Sequence, residues 1–239
     1  MNSFYMILNN GVTTTTTDAL GCTIPERPSI PVAEMAQEIV PIPGRDGDLR
    51  RNVGYKDRVL PVSFHFKDGI NLPKASRKLV GAIMNCKSFQ FSDDDEVEYR
   101  VCNVKFGDIE RELRVLGRIT AQFTIQPFNY YTNVNKIIMT GSRITINNPG
   151  TYYSRPLIKV YSSGTVLNQS ITIDDTSISI KEMTDYLYID SETRLVYREG
   201  SNQNKQLVGK YPILPAGEFT IVASSGISSI EIEPRWRCF

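Results

Sequence analysis

The sequence predicts a mainly β protein: an α+β N-terminal domain with one helix, followed by a C-terminal β-sandwich. Two observations predict this fold class. Short segments of alternating apolar and polar residues run along most of the 239 residues, and such a period of two is typical of half-buried strands. One segment alone has the period of an amphipathic helix, and it precedes residue 132. The change of pattern near that point predicts two domains, residues 1–132 and 133–239.

Strands in the N-terminal domain are predicted for "FYMIL", "VEYRV" and "ITAQFTI". In each segment every second residue is apolar, as with Phe4, Met6 and Leu8, so one face of each strand is expected to be buried. The single predicted helix is "NLPKASRKLVGAIMNC", in which Asn71 can cap the first turn and Pro73 is tolerated there. Its apolar residues fall on one side of the helix: Leu72, Ala75, Leu79, Ile83 and Cys86.

The C-terminal domain is predicted to consist of short strands separated by turn signals. Segments such as "PLIKVY", "QSITI", "YLYID" and "EFTIV" recur at the spacing expected for a β-sandwich of about 100 residues. Hairpin turns are predicted at residues 174–177 and 191–193. The last strand, "SSIEIEPRW", is expected to carry Glu231, Glu233, Arg235 and Arg237 on one face, with Trp236 on the opposite face and in the core.

Composition excludes several classes of protein. The formal net charge is +1, so the chain lacks the basic excess that drives binding to nucleic-acid phosphates. No stretch has the length and hydrophobicity of a membrane span, and "MNSFYMILNN" is a poor signal peptide. The four cysteines form no CxxC motif. Two disulfides are arithmetically possible, but buried thiols in a reducing cytoplasm are the prediction.

The sequence offers little for catalysis. His65 is the only histidine, and it alternates with apolar neighbours on a predicted strand, so no nucleophile–base pair is indicated. Glu231 and Glu233 lie beside arginines, which favours ionised pairs over a general acid. The acidic run "SDDDE" lacks the spacing of an EF-hand loop and is expected to be a solvated hairpin end. We therefore predict no catalytic, cofactor-binding or metal-binding residues.

The segment "IPGRDGDLRRNV" raises a different possibility. Asp46-Gly47 is a strong signal for a two-residue type I′ turn, which would pair Arg45 with Asp48, Gly44 with Leu49, and Val40 with Val53. The tip of such a hairpin has almost nothing to bury in its own core. It is therefore either a solvated loop or an arm that packs on a neighbouring subunit.

A resemblance favours the second alternative. The glycine-arginine-aspartate-glycine turn followed by "YKDRVLPVSF" resembles the N-terminal domain of siphophage distal tail (Dit) proteins. Three later stretches agree in order: "ITAQFTIQPFNYY", "GTYYSRPLIKVYSSG" and "AGEFTI" with "SSIEIEPRWR". The resemblance implies a structural hub: a hexameric ring formed by the N-terminal domains, with galectin-like C-terminal sandwiches at its periphery. Gly44, Arg45, Asp46 and Gly47 then become candidate inter-subunit contacts.

The same resemblance implies partners and a location. The ring would join the tail tube protein to the tail-associated lysin or tip protein and to baseplate or receptor-binding proteins. DNA would pass through its channel without specific binding. The protein would be assembled in the host cytoplasm and end at the tip of the virion tail. Two other functions remain open: a carbohydrate-binding β-sandwich module, although Trp236 is the only tryptophan, and a tail tube subunit.

Overall fold

A computed structural model describes residues 4–44, 46–107 and 117–239 of the chain. Its content is mainly β, which confirms the predicted fold class. The chain divides into two compact units: Met1–Thr132 together with Phe239, and Asn133–Cys238. Among the described residues, no helix is long and apolar enough to span a membrane. All four cysteines are free thiols; Cys22 and Cys86 are buried as predicted, whereas Cys102 is exposed and Cys238 is half-buried.

The first unit is built on one antiparallel sheet with the strand order β2-β1-β7-β8-β9-β6-β3. Paired backbone hydrogen bonds between Phe4 and Ile24 connect the segment before β1 to the segment after β3, so the sheet curls back on itself. Two further strands, β4 and β5, form a separate sheet of their own. The strands are β1 Met6–Asn9, β2 Thr14–Thr16, β3 Cys22–Thr23, β4 Met35–Val40, β5 Leu49–Tyr55, β6 Arg58–Phe66, β7 Ser88–Phe91, β8 Asp94–Phe106 and β9 Arg118–Tyr131.

The alternation predicted from the sequence sets the core of this unit. Every second residue of β9, from Ile119 to Ile125, has no solvent exposure. An aromatic cluster lies beside them, in which the ring of Phe89 is 5.2 Å from the rings of both Tyr99 and Phe123. Because buried aromatic side chains contribute large apolar areas and favourable ring contacts, we expect this cluster to be the main source of stability in the unit.

The predicted helix is present as α1, Leu72–Met84, and it buries Leu79 and Ile83 as its periodicity indicated. The Oδ1 atom of Asn71 accepts a hydrogen bond from the Lys74 backbone N–H at 3.0 Å, and proline occupies the first turn. The first N–H groups of a helix have no partners within the helix. The Asn71 side chain satisfies one of these groups, and proline removes another because it has no N–H.

Replacing Asn71 by alanine removes this cap and should lower the free energy of unfolding by about 1 kcal/mol. Chemical denaturation measures the change. Asn71→Asp is the matched control, since its carboxylate can still accept the Lys74 N–H and should retain most of the stability. An alanine variant as stable as the wild type would contradict the cap's contribution.

The second unit is organised around two long strands, β12 and β13, which pair with each other along most of their length. The first part of β12 pairs with β18, whereas its last residues pair with β17. The register between β12 and β13 shifts between Tyr161 and Thr165 of β12, next to Gly164, which has a φ of +83°. Such an irregularity bends a strand and lets it serve two layers of a sandwich.

The main path of this sheet is β10-β18-β12-β13-β14-β15. Three further strands attach to it: β17 pairs with β12, β11 pairs with β17, and β16 pairs with β13. The strands of this sheet are β10 Ile137–Met139, β11 Arg143–Asn148, β12 Leu157–Ile173, β13 Thr176–Asp190, β14 Leu195–Arg198, β15 Ser201–Asn202, β16 Leu207–Val208, β17 Gly217–Ala223 and β18 Ile227–Glu233. A last short strand, β19 Arg237–Cys238, is not part of this sheet. A short 3₁₀ helix, η1 Asn204–Gln206, precedes β16.

Both predicted hairpins of the second unit are present. The first turn is tighter than predicted, because Ile173 pairs directly with Thr176. The second joins β13 to β14 through residues 191–194, with Asp190 paired to Leu195. Trp236 is 5% exposed and packs edge-on against Phe219, so its predicted core position is confirmed.

The prediction that the last strand continues through Arg237 is wrong. Strand β18 ends at Glu233, and Arg235 has the left-handed φ of +52°, which breaks the alternation. Arg237 is consequently buried, 7% exposed, and its Nε donates a hydrogen bond to the Tyr153 carbonyl at 2.6 Å. It does not share the face of Glu231 and Glu233.

Candidate assembly interface

The most unusual feature of the first unit is an arm formed by β4, β5 and the loop of residues 41–48 between them. Its two strands pair only with each other, whereas the other strands of this unit belong to one sheet. Along the arm, Ala36 and Tyr55 are half-buried and the remaining described strand residues are exposed. The arm therefore projects as a two-stranded ribbon that its own unit does not cover.

The register of the arm differs from the prediction. Val40 pairs with Leu49 instead of Val53, and a bulge follows between Ala36 and Gln37. A type I′ turn requires positive φ at both central residues, but Gly47 has a φ of +82° while Asp46 is not among the positive-φ residues. Pro41 and Pro43 follow β4 directly, and since proline has no N–H, the ladder ends there and leaves a longer loop.

The four nominated contact residues belong to this loop. Gly44, Asp46 and Gly47 are exposed, and Arg45 lies outside the described residues. Added Cβ atoms at Gly44 and Gly47 would meet no atom within 4 Å, so the two glycines serve the positive φ of the backbone and not close packing. The loop is thus placed where a neighbouring molecule could reach it.

Apolar side chains on the ribbon itself were missed by the sequence analysis. The most exposed are Val53 at 58%, Ile39 at 55% and Leu49 at 48%. In the observed register, Val40 and Leu49 face one side, and Ile39 faces the other. An isolated two-stranded ribbon with apolar residues on both faces is marginally stable in water, so a surface that covers it would stabilise it.

Polar pairs fix the register of the ribbon. Glu38 stands directly opposite Arg51, and the amide of Gln37 donates to Asn52 Oδ1 at 3.0 Å. At the base, the Lys56 N–H donates to the Glu34 carbonyl at 2.9 Å, and their side chains form an ion pair at 3.2 Å. Cross-strand pairs of this kind stabilise a ribbon modestly but specify one register.

Packing at its base holds the arm to the sheet. The ring of Tyr55 lies 5.4 Å from the ring of Phe128. Arg58 is 4% exposed, and its guanidinium donates to the Gln126 carbonyl, to Asn129 Oδ1 and, at 3.4 Å, to the carbonyl of Pro31 just before β4. The start of the arm is therefore tied to the sheet by Arg58 of β6, which also contacts β9, and the end of the arm by the packing of Tyr55 on β9.

The residues considered for catalysis do not form a constellation. His65 sits in the ladder opposite Thr23 and Arg118. Glu231 accepts a hydrogen bond from the Tyr161 hydroxyl at 2.9 Å, and Glu233 is 3.7 Å from Arg235. Each of these two carboxylates is therefore engaged by a neighbouring side chain.

The acidic run 93–96 lies at the β7–β8 hairpin end, as predicted. There Asp93 and Asp94 pair with Arg27. Among the described residues, no cluster of histidine, cysteine, aspartate and glutamate could hold a metal ion. The local pairing of this run with a cation explains its composition without a bound ligand.

Comparison with solved structures identifies the fold. The crystal structure of the SPP1 Dit protein, described as a paradigm of the hub adsorption apparatus in phages that infect Gram-positive bacteria, matches with a TM-score of 0.66 at 18% identity, over 97% of this chain and 98% of that chain. The chain therefore has the fold of a Dit protein, and the resemblance noted in the sequence is confirmed at that level.

Two structures of the phage p2 baseplate in its activated conformation match more distantly. The one with Sr has a TM-score of 0.47 at 12% identity, covering 96% of this chain and 97% of that one. The one with Ca has a TM-score of 0.44 at 11% identity, covering 97% and 98%. No protein-family model and no curated protein matches the sequence at a significant level.

Proposed function

We propose that this protein is a structural component of a phage tail: a distal tail hub whose N-terminal units assemble into a hexameric ring. The observation that carries the proposal is the arm, a ribbon anchored at its base that exposes apolar side chains on both faces. The Dit fold supports it, because the SPP1 protein of the same fold is described as part of a hub apparatus.

Ring closure needs a head-to-tail interface in which two different surfaces of each subunit meet. A projecting ribbon provides one of these surfaces, and the curled sheet of the next subunit provides the other. Burying Ile39 and Leu49 against that neighbour would contribute about 1.5–3 kcal/mol per side chain. The loop residues Gly44, Arg45, Asp46 and Gly47 are then inter-subunit contacts at the far end of the arm.

The proposed partners follow from the position of a hub. The ring would contact the tail tube protein on one side and the tail-associated lysin or tip protein, with baseplate or receptor-binding proteins, on the other. A formal net charge of +1 suits a channel through which DNA passes without being retained, since phosphate affinity grows with each basic contact. Assembly in the host cytoplasm agrees with four free thiols.

This function requires no chemistry at any residue, and we propose that the protein is not an enzyme. A tail tube subunit is the nearest alternative, and it would stack into long tubes where a hub stops at one ring. A carbohydrate-binding module is the more distant alternative. Its nominated platform, Trp236, is buried, so that residue cannot stack on a sugar.

Charged substitutions in the arm provide the test. Ile39→Lys and Leu49→Lys should each weaken self-association by about tenfold or more per interface, since a lysine must be desolvated where an apolar side chain was buried. Together they should leave monomers. Size-exclusion chromatography with light scattering measures the change, at matched concentration and in the presence of the tube and lysin proteins.

Leu167→Lys is the matched control, because Leu167 is similarly exposed, at 59%, on a strand of the second unit. This variant should assemble like the wild type. If the double arm variant assembles as well as the control, the arm does not form the interface and the proposal fails. Circular dichroism establishes in each case that the variant is folded.

A further inference from the structure

A cationic cleft in the second unit belongs to no surface invoked for ring assembly. It lies among three loops: the segment before β12, the β13–β14 turn and the segment before β17. Its cavity volume is about 540 Å³, and it is lined by Tyr153, Arg155, Ser191, Arg194, Lys210, Tyr211 and Ile213. This volume falls within the range of small-molecule sites, about 300–1,000 Å³.

The charge of the cleft is concentrated and of one sign. Arg155, Arg194 and Lys210 come from the three different loops, and none of the described lining residues is acidic. The nearest carboxylates in sequence, Asp190 and Glu192, accept hydrogen bonds from Arg235 at 2.8 and 3.1 Å and do not line the cleft. Three cations in one cleft are unexpected for a chain whose formal net charge is +1.

Ser191 supplies an independent indication of a ligand. It is 3% exposed, and its Oγ has no hydrogen-bond partner among the described residues. A buried hydroxyl without a partner is unfavourable, so natural proteins usually satisfy it with water or a bound group. Ser191 lines the cleft, although its Oγ has almost no accessible surface, so a rotation of the side chain toward the cavity would let an oxygen of a bound ligand become its partner.

Backbone hydrogen bonds preform the cleft. Ser154 and Leu214 exchange paired N–H···O bonds of 2.9 and 3.0 Å, which join the first loop to the third. The Ser191 N–H donates to the Pro156 carbonyl at 3.0 Å, and the Tyr211 hydroxyl donates to the Arg194 carbonyl at 2.8 Å. All three loops are therefore connected without a ligand, so binding would cost little conformational entropy.

The remaining wall is aromatic and apolar, provided by Tyr153, Tyr211 and Ile213. Burial alone would raise the pKa of Tyr153, but the hydrogen bond and charge of Arg155, together with Arg237, lower it. The field in this part of the cleft thus stabilises negative charge. A ligand that suits both the cationic wall and the aromatic wall carries an anionic group beside a ring or a short carbon chain.

We propose that this cleft binds a phosphate ester of a sugar or polyol, with the phosphate held by the three cations and the carbon skeleton against the tyrosines. A phosphate group accepts hydrogen bonds on three oxygens and so can contact cations that approach from three loops. A carboxylate has two oxygens in one plane and matches this arrangement less well. Ser191 Oγ is the remaining donor.

Isothermal titration calorimetry with glucose 1-phosphate and glycerol 1-phosphate tests the proposal on the full chain. Both esters should bind at least tenfold more tightly than glucose, glycerol or glucuronate. Affinity should fall as salt is raised, because the contacts are charge-assisted. Inorganic phosphate should bind more weakly than either ester, since it lacks a carbon skeleton to place against the tyrosines.

Arg194→Ala and Lys210→Ala should each weaken ester binding by about tenfold, because each removes one charge-assisted contact. Both side chains are exposed, so these variants should fold normally. Lys181→Ala removes an exposed cation that does not line the cleft and should bind like the wild type. Ser191→Ala should lower affinity without lowering stability, since its Oγ has no protein partner to lose.

Several results would overturn the proposal: no detectable heat from either ester at millimolar concentration, binding unchanged in both cation variants, or equal affinity for glucuronate. Inorganic phosphate binding as tightly as the esters would overturn the assignment of an ester. The inference does not depend on ring assembly. The monomeric arm variant should bind the esters as the wild type does, so failure of either proposal can be distinguished.

Discussion

Replacing Phe89 by alanine is expected to lower the free energy of unfolding of the first unit by about 3–5 kcal/mol. Phe89 has no solvent exposure, and its ring contacts those of Phe91, Tyr99 and Phe123 at centroid distances of 5.2–5.5 Å. Truncation leaves a cavity among large, interlocked rings that cannot collapse to fill it. Urea denaturation followed by circular dichroism gives the loss.

Val59→Ala is the control for this substitution, because Val59 lies in the same unit but is 53% exposed. Its effect should stay within about 0.5 kcal/mol. Hydrogen exchange resolved by peptide should show faster exchange in β7, β8 and β9 of the Phe89 variant. A loss below about 1 kcal/mol would mean that this aromatic cluster is not the main stabilising element of the unit.

Replacing Arg235 by alanine is expected to destabilise the second unit by about 3–5 kcal/mol. The guanidinium donates to Asp190 Oδ1 at 2.8 Å and to Glu192 Oε2 at 3.1 Å, and both Asp190 and Arg235 are largely buried. Removing one partner leaves the Asp190 carboxylate buried without its counter-charge. Trp236, the only tryptophan, lies in the same unit, so its fluorescence reports this unfolding directly.

A control variant and the dependence on pH test whether the lost ion pair with Asp190 causes this destabilisation. Arg143→Ala removes an exposed arginine of the same unit and should be nearly neutral. Burial opposes ionisation of Asp190, but Arg235 and the N–H groups of Glu192 and Thr193 hold its pKa below the usual 3.8. The stability that this carboxylate contributes is present above that value and is lost as pH falls through the lower folded-state pKa.

The difference between wild type and the Arg235 variant should therefore be full at neutral pH. It should shrink as acid protonates Asp190, beginning at the pKa that burial raises in the variant and ending at the lowered pKa of the wild type. A pH-independent difference would contradict the ion-pair origin. It would indicate that the arginine stabilises the unit by packing of its side-chain carbons instead.

Local rules predicted the elements of the fold well. The period of two in β9 and the capped amphipathic pattern of α1 are each decided by residues close in sequence, so both could be inferred. The end of the last strand could not, because Arg235 turns back to Asp190, a residue 45 positions away. Long-range pairing of this kind leaves no periodic signature in the sequence.

The arm illustrates both the value and the limit of a turn signal. The Asp46-Gly47 dipeptide correctly indicated a hairpin, but Pro41 and Pro43 end the ladder early, and the last pair is Val40 with Leu49. The sequence does not indicate that Ile39 and Val53 are exposed, because their exposure follows from a sheet order that leaves the arm outside the core.

The cationic cleft was beyond sequence reasoning for a further reason. Arg155, Arg194 and Lys210 are separated by 39 and 16 positions and resemble isolated surface charges in the sequence. They come together because the Ser154–Leu214 bridge and the Ser191–Pro156 hydrogen bond join their loops. Only the tertiary hydrogen bonds reveal that these charges share one cavity.

Electron-microscopic imaging of the purified full chain, alone and with the tube and lysin proteins, tests the central claim most directly. Self-association through the arm predicts closed rings of about six subunits around an open channel, which the doubly charged arm variant does not form. Particles that remain monomeric at high concentration, and in the presence of both partners, would contradict the account.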